Sequence, residues 1–271
     1  MFSFIVSILS QKFILRALLV GILVSLCASL LGVSLVLKRY SMIGDGLSHV
    51  GFSALAIALA MGWAPLAVSI PVVVISAFFL LRLNSNNNLK GDSAIALISS
   101  SALAIGIMIT SLTKGMNQDV ISYMFGSILT LSNSDVYLSV TLSVIVLLLF
   151  IVFYNKIFTV TFDENFAKAT GTKVDLLNSL LAILTSITIV IGMRIMGTLL
   201  ISSLIIFPSL SSMRVYKCFK QVVISSSIIS VLCFVIGMLL SCIFAIPTGA
   251  SIVVTNLVVY LIFTIIGKFI K

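Results

Sequence analysis

Ser41–Met61 reads SMIGDGLSHVGFSALAIALAM. The stretch is apolar enough to lie in a membrane, yet it carries Asp45 and His49, the only histidine of the chain. In a helix the i,i+4 spacing puts both on one face, about 6 Å apart along the axis. An ionised aspartate at the centre of a bilayer helix costs about 2.5–3.5 kcal/mol on insertion scales. A transported cation is the first candidate to offset that cost. A carboxylate and an imidazole one turn apart form half a site for a divalent ion.

The rest of the chain is built of similar material. Its 271 residues are 61% hydrophobic and 8% charged, where a soluble domain carries about 25% charged residues. That composition predicts an all-α, polytopic transmembrane bundle forming one permease domain over residues 1–271. Met1–Ser10 has neither a charged leader nor an A-x-A site, so no cleavable signal is expected. Apolar runs fall at 13–37, 42–62, 64–82, 93–113, 134–155, 174–194, 197–212, 220–245 and 249–269, nine candidate spans. The run at 197–212 is short and contains Gly197 and Pro208. It reads as a full span or a half-helix, so the count is eight or nine. Val120–Leu131 is expected to form a re-entrant or interfacial helix.

The net charge of +9 comes from cations in short loops between apolar runs, and no nucleic-acid motif accompanies it. Topology explains it better. With the 156–173 loop inside and every run crossing once, only Lys12, Arg16, Lys114 and Arg194 lie outside, and the other twelve Lys and Arg residues lie inside. The bias favours an external N-terminus and puts Trp63 at the outer interface. Cys27, Cys218, Cys233 and Cys242 show no C-x-x-C spacing and read as packing residues.

Of the seven acids, Asp45 alone falls a turn inside a run; Asp92, Asp119, Asp135, Asp163, Glu164 and Asp175 fall in loops or at run ends. Gly44 and Gly46 leave the backbone beside Asp45 thin, so that a helix or an ion can come close. One Asp and one His are too few for a tight divalent site. Two copies meeting on a two-fold axis would offer an N2O2 set suited to zinc and, with added waters, to manganese or ferrous iron. A second informative stretch is FDENFAKATG, residues 162–171. Asp163 and Glu164 open a predicted short helix, Lys168 lies towards its end and Gly171 stops it. An amphipathic helix of this kind can insert into a partner's groove. The chain has no G-x-x-x-x-G-K-[ST] phosphate loop, so any ATP drive must come from another polypeptide. Nor does it show Ser-His-Asp logic, and it is expected to be no enzyme.

These blocks together resemble the integral membrane permease of ABC-type zinc/manganese/iron importers, the ABC-3 family. The resemblance is carried by KRYSMIGDGLSHVGFSALAIALAMG, GDSAIALISSSALAIG, YMFGSILT, FDENFAKATG, MGTLLISSLIIFPS and IPTGASIVV, in the family's order and over nearly the whole chain. It implies a fold similar to the vitamin B12 permease type. It also implies a homodimer on two ATP-binding subunits, an extracytoplasmic metal-binding protein, and a place in the bacterial cytoplasmic membrane. Asp45 and His49 match the family's metal-path pair. Asp163, Glu164, Ala167 and Gly171 match the coupling helix that docks on the ATPase. Many members carry an acid where this chain has Ser127. The wording around Gly44–Phe52 is closest to zinc permeases, so the expected cargo is Zn2+ first and Mn2+ second, with no intrinsic cofactor. Two other readings of the residues stand beside this one: an ABC permease for a siderophore or corrinoid, and a stand-alone ion-coupled secondary transporter using Asp45 and His49 as a proton relay.

Overall fold

Long apolar runs with few helix breakers form helices, and every described element of this chain is helical. The computed structural model describes residues 12–85, 91–113, 126 and 133–270. In chain order the helices are α1 (Lys12–Leu37), α2 (Ile43–Ala60), α3 (Pro65–Ser85), α4 (Gly91–Leu112), α5 (Asn133–Val152), α6 (Tyr154–Phe162), α7 (Glu164–Ala169), α8 (Val174–Met196), α9 (Thr198–Val215), α10 (Phe219–Phe244) and α11 (Thr248–Ile270). Among the described residues, eight helices are long and apolar enough to cross a membrane: α1, α2, α4, α5 and α8–α11. The apolar stretch of α3, Pro65–Leu80, is shorter. Each of the nine expected runs has its helix.

The helix ends follow local chemistry. Pro65 opens α3, where a missing N–H costs nothing. Gly197, at φ 87°, ends α8 and starts α9 in one step. The 197–212 run therefore forms one continuous 18-residue helix, Thr198–Val215, and not a half-helix. Pro208 sits inside it, and Ser209 and Ser212 donate to the Ile205 and Pro208 carbonyls beside the interruption. The run at 134–155 divides at Phe153, and the expected 156–173 loop is largely the short helices α6 and α7. The expected segment Val120–Leu131, including Ser127, lies outside the described residues apart from Gly126.

Burial separates an inner set from an outer one. In α2, 72% of the most apolar stretch is buried, against 17% in α4. α1, α2, α8 and α9 form the middle; α2 packs on α3, α4, α8 and α9, and α1 on α5, α8, α9 and α10. Their contact depends on small residues. A Cβ on Gly32 of α1 would collide with the Ile205 carbonyl of α9, so the two backbones touch there as only glycine permits. The main core joins Val20, Val24, Leu47, Ile189, Ile201 and Leu204 among others. The outer helices turn large apolar side chains outward, including Met108, Leu148, Ile228 and Ile265, as a lipid-facing surface requires.

Candidate metal site

Asp45 and His49 lie on a partly open side of α2. Within the helix Asp45, His49, Ile57, Leu59 and Ala60 are not buried, and Met42 just before it is exposed, while the other residues of the helix are buried. The helix keeps this side open because its other faces are locked. A Cβ on Gly44 would stand 3.0 Å from Ile205 Cδ1 of α9, and one on Gly46 would stand 2.8 Å from Ile95 Cγ2 of α4. The two glycines let neighbouring helices close on either side of Asp45.

Asp45 lies in the first turn of α2, because the helix begins at Ile43. His49 Nε2 stands 3.7 Å from Asp45 Oδ1, with side-chain exposures of 16% for the histidine and 38% for the aspartate. That separation is too long for a hydrogen bond. It is close to the distance of about 3.4 Å that two ligands span across a tetrahedral ion with bonds of about 2.1 Å. His49 Nδ1 is buried without a hydrogen-bond partner among the described residues. An imidazole nitrogen left this way is costly, and a fixed partner or a bound ligand normally accounts for it. Among the described residues no three His, Cys, Asp or Glu side chains gather in one place. Among the described residues, one chain brings two side chains of these types to this position.

The short helix α7 is built as the residues dictate. Asp163 has extended backbone, and its carboxylate accepts from the Phe166 N–H at 2.9 Å. At the other end Gly171, at φ 77°, donates to the Lys168 carbonyl, and Thr172 donates to that of Ala167. This is a Schellman close, which favours glycine. Ala167 is buried with Val160, Val174 and Leu177, while Phe162, Phe166 and Lys168 face outward.

Two ion pairs escaped the sequence reading. Lys38, at the end of α1, bonds Glu164 Oε1 at 2.8 Å and also donates to Asn178 of α8. Partial burial opposes ionisation of Glu164, but the Lys38 hydrogen bond and charge outweigh it, with help from Asn178 and Lys168, and hold the carboxyl below its ordinary range. Arg194 of α8 bonds Asp135 of α5 at 2.9 Å. Asp135, at the start of its apolar run, is in the first turn of α5 and only 8% exposed. Its neighbours in sequence gave no sign of the partner 59 positions away. Cys27 and Cys233 are buried and Cys218 is exposed, all free thiols.

An accessible acid and imidazole in a central span, inside a bundle with eight described helices of membrane length that turns apolar faces outward, suit the class of a multi-pass transport permease. The sequence matches the ABC 3 transport family over residues 10–267, and the chain belongs to that family. It is 28% identical to the manganese import system permease protein ScaB of Streptococcus gordonii over 96% of this chain and 93% of that one. It is 29% identical to the high-affinity zinc uptake system membrane protein ZnuB of Haemophilus influenzae over 89% and 92%. Among solved structures, PsaBC from Streptococcus pneumoniae, in complex with Fab, superposes with a TM-score of 0.87 at 28% identity, covering 97% of this chain and 95% of that one. An inward-facing putative metal-chelate type ABC transporter superposes at 0.72 over 93% and 85%, at 15% identity, a likeness of fold alone.

Proposed function

We propose that this chain is the membrane permease of an ATP-driven importer of divalent metal in the bacterial plasma membrane, and that Asp45 and His49 form its half of the ion path. The observation that carries the reading is the pair itself: a carboxylate and an imidazole 3.7 Å apart on the partly open side of α2, with one imidazole nitrogen unpartnered. The manganese and zinc systems to which its relatives belong add those ions as cargo. Because one chain supplies two ligands, two copies facing each other across α2 would complete an N2O2 set. A site shared between subunits that move apart loosens when they separate, which an ion in transit requires. Oxygen and imidazole donors serve both zinc and manganese, and the expected order is zinc first. An extracytoplasmic binding protein would deliver the ion. The ATP-binding subunit would receive α7, with Asp163, Glu164, Ala167 and Gly171 shaping the docking helix and Phe166 its outward apolar contact.

The test is uptake of zinc and manganese by cells or vesicles carrying the whole transporter. Asp45→Ala and His49→Ala should each lower uptake about a hundredfold or more, since each removes half of the donors a chain supplies, while the permease stays in the membrane. Wild-type uptake by both variants would remove the site. Transport by the purified chain alone, driven by an ion gradient, would favour the secondary-transporter reading.

A further inference from the structure

The Lys38 ammonium is the most enclosed cation in the described ion pairs: its side chain is 7% exposed, against 46% for its partner Glu164. It bonds Glu164 Oε1 at 2.8 Å and Asn178 Oδ1, and Asn178 Nδ2 donates to the same Glu164 oxygen at 3.2 Å. Three elements, the end of α1, the start of α7 and the second turn of α8, thus meet in one closed triangle. A pair with one partner 46% exposed is weak support for stability, because solvent screens it. What a lysine adds is direction: the bonds fix α7 and α8 in one geometry relative to the end of α1.

The other side of Lys38 leads to the candidate ion path. Lys38 closes α1, and only residues 39–42 separate it from Ile43, the first residue of α2. That connection is short and bonded throughout. Arg39 N–H donates to the Val36 carbonyl at 3.0 Å, Tyr40 N–H to Leu35 at 2.8 Å and Ile43 N–H to Tyr40 at 3.0 Å. Arg39 holds φ 63°, a left-handed conformation that a side chain other than glycine adopts at a cost, so the turn is fixed by its surroundings. A cavity of about 20 Å³ lies beside the triangle, lined by Lys38, Tyr40 and Asn178 on one side and by Ile43 and Leu47 of α2 on the other. It is large enough for about one water. Ile43 and Leu47 back the helix turn whose opposite face carries Asp45 and His49.

We propose that Lys38 is a positioning residue that ties α7 to the first turn of α2, so that a displacement of α7 reaches Asp45 and His49 as a movement of the helix that carries them. On the reading of α7 as the docking helix, Lys38 couples events at the ATP-binding subunit to the ion path. It touches neither the ion nor the partner; its role is transmission through a stiff connection, with the small cavity behind α2 leaving room for the shift. Lys38 holds the Glu164 carboxyl below its ordinary range, so the pair is charged at neutral pH.

The test uses the permease assembled with its ATP-binding subunit in proteoliposomes, reading ATP hydrolysis and the uptake of manganese and zinc ions side by side. Lys38→Met should leave hydrolysis within about twofold of wild type and lower metal moved per ATP about tenfold, the scale of one charge-assisted hydrogen bond lost in one of two states. Lys38→Arg should keep most of the ratio. Lys38→Glu should lose it and the double exchange Lys38→Glu with Glu164→Lys should regain it in part. If Lys38→Met fails to reach the membrane, Lys38→Gln, which can still bond Glu164 without charge, is read in the same way. A wild-type ratio in the inserted variant overturns the proposal. So does a parallel fall of hydrolysis and uptake, which is what a merely structural residue would give. Asp45→Ala in the same assay separates the two readings: if it is inert while Lys38→Met stays coupled, the ion site stands and the link does not; if it transports normally, the ion site itself fails.

Discussion

Asp45 with His49, and Asp135 with Arg194, are both acid–base pairs in spans of the same bundle, and they are built in opposite ways. Asp135 and Arg194 belong to different helices, bond at 2.9 Å and are largely enclosed, with side-chain exposures of 10% and 24%. Asp45 and His49 belong to one helix, stand 3.7 Å apart and leave the carboxylate 38% exposed. The first pair joins elements and has its charge satisfied. The second joins nothing, since a single helix already fixes both residues, and it leaves a nitrogen over. On the proposed function, the pair that joins no elements is the one left to accept a third party, while the pair bonded across helices holds α5 to α8.

The sharpest way to break this contrast is to cut the enclosed pair. Arg194→Met removes the guanidinium from a largely enclosed carboxylate, and breaking such a pair costs up to about 3–5 kcal/mol. Asp135→Asn should cost somewhat less, because a neutral amide can still accept from Arg194. Thermal melting of the purified transporter in detergent should fall in that order. A melting point unchanged in both variants would mean that the pair splices nothing and that the contrast is false.

How much of this could be read from the residues differs between the two pairs for a physical reason. The Asp45–His49 spacing is local: i,i+4 on a helix fixes proximity whatever the fold does. The nine helical runs, the cap at Asp163 and the stop at Gly171 are local in the same sense and were all legible. Asp135 with Arg194 and Lys38 with Glu164 are 59 and 126 positions apart in the chain, and periodicity carries no signal of such a meeting. Position within a run says nothing of burial either. Asp135 sits at a run end, and the packing of α5 against α8 buries it. The half-helix suggested by Gly197 and Pro208 failed because neighbouring helices and serine hydroxyls can absorb a proline inside a membrane bundle.

A smaller effect tests the third pair. Glu164 titrates below its ordinary range in the folded protein. Its stabilising contribution is therefore complete above the unfolded value, about 4.3, and is lost as pH falls through the folded value. Since the carboxylate is 46% exposed, screening limits the whole contribution to about 1 kcal/mol or less. The difference in melting point between wild type and Glu164→Gln should be present at pH 7 and vanish when both are measured well below pH 4. A difference that grows on acidification would reverse the sign and remove Lys38 as the partner that holds the acid ionised.

The smallest expected effect carries the contrast furthest. Asp45→Asn keeps the shape of the side chain and removes a charge that nothing in the described structure pairs within hydrogen-bond distance. The cost in stability should be within about 0.5 kcal/mol of zero, as for surface changes that break no named interaction, and a slight gain is the natural sign, since an amide in a span is cheaper than a carboxylate. Metal uptake should collapse all the same. The two measurements must be made on one preparation, because either alone has a bland explanation: lost uptake can mean lost protein, and unchanged melting can mean an idle residue. Together they distinguish a side chain kept for its cargo from one kept for the fold. If Asp45→Asn destabilised the bundle as Arg194→Met is expected to, the aspartate would be a structural acid like Asp135, and the open side of α2 would lose its claim to the ion.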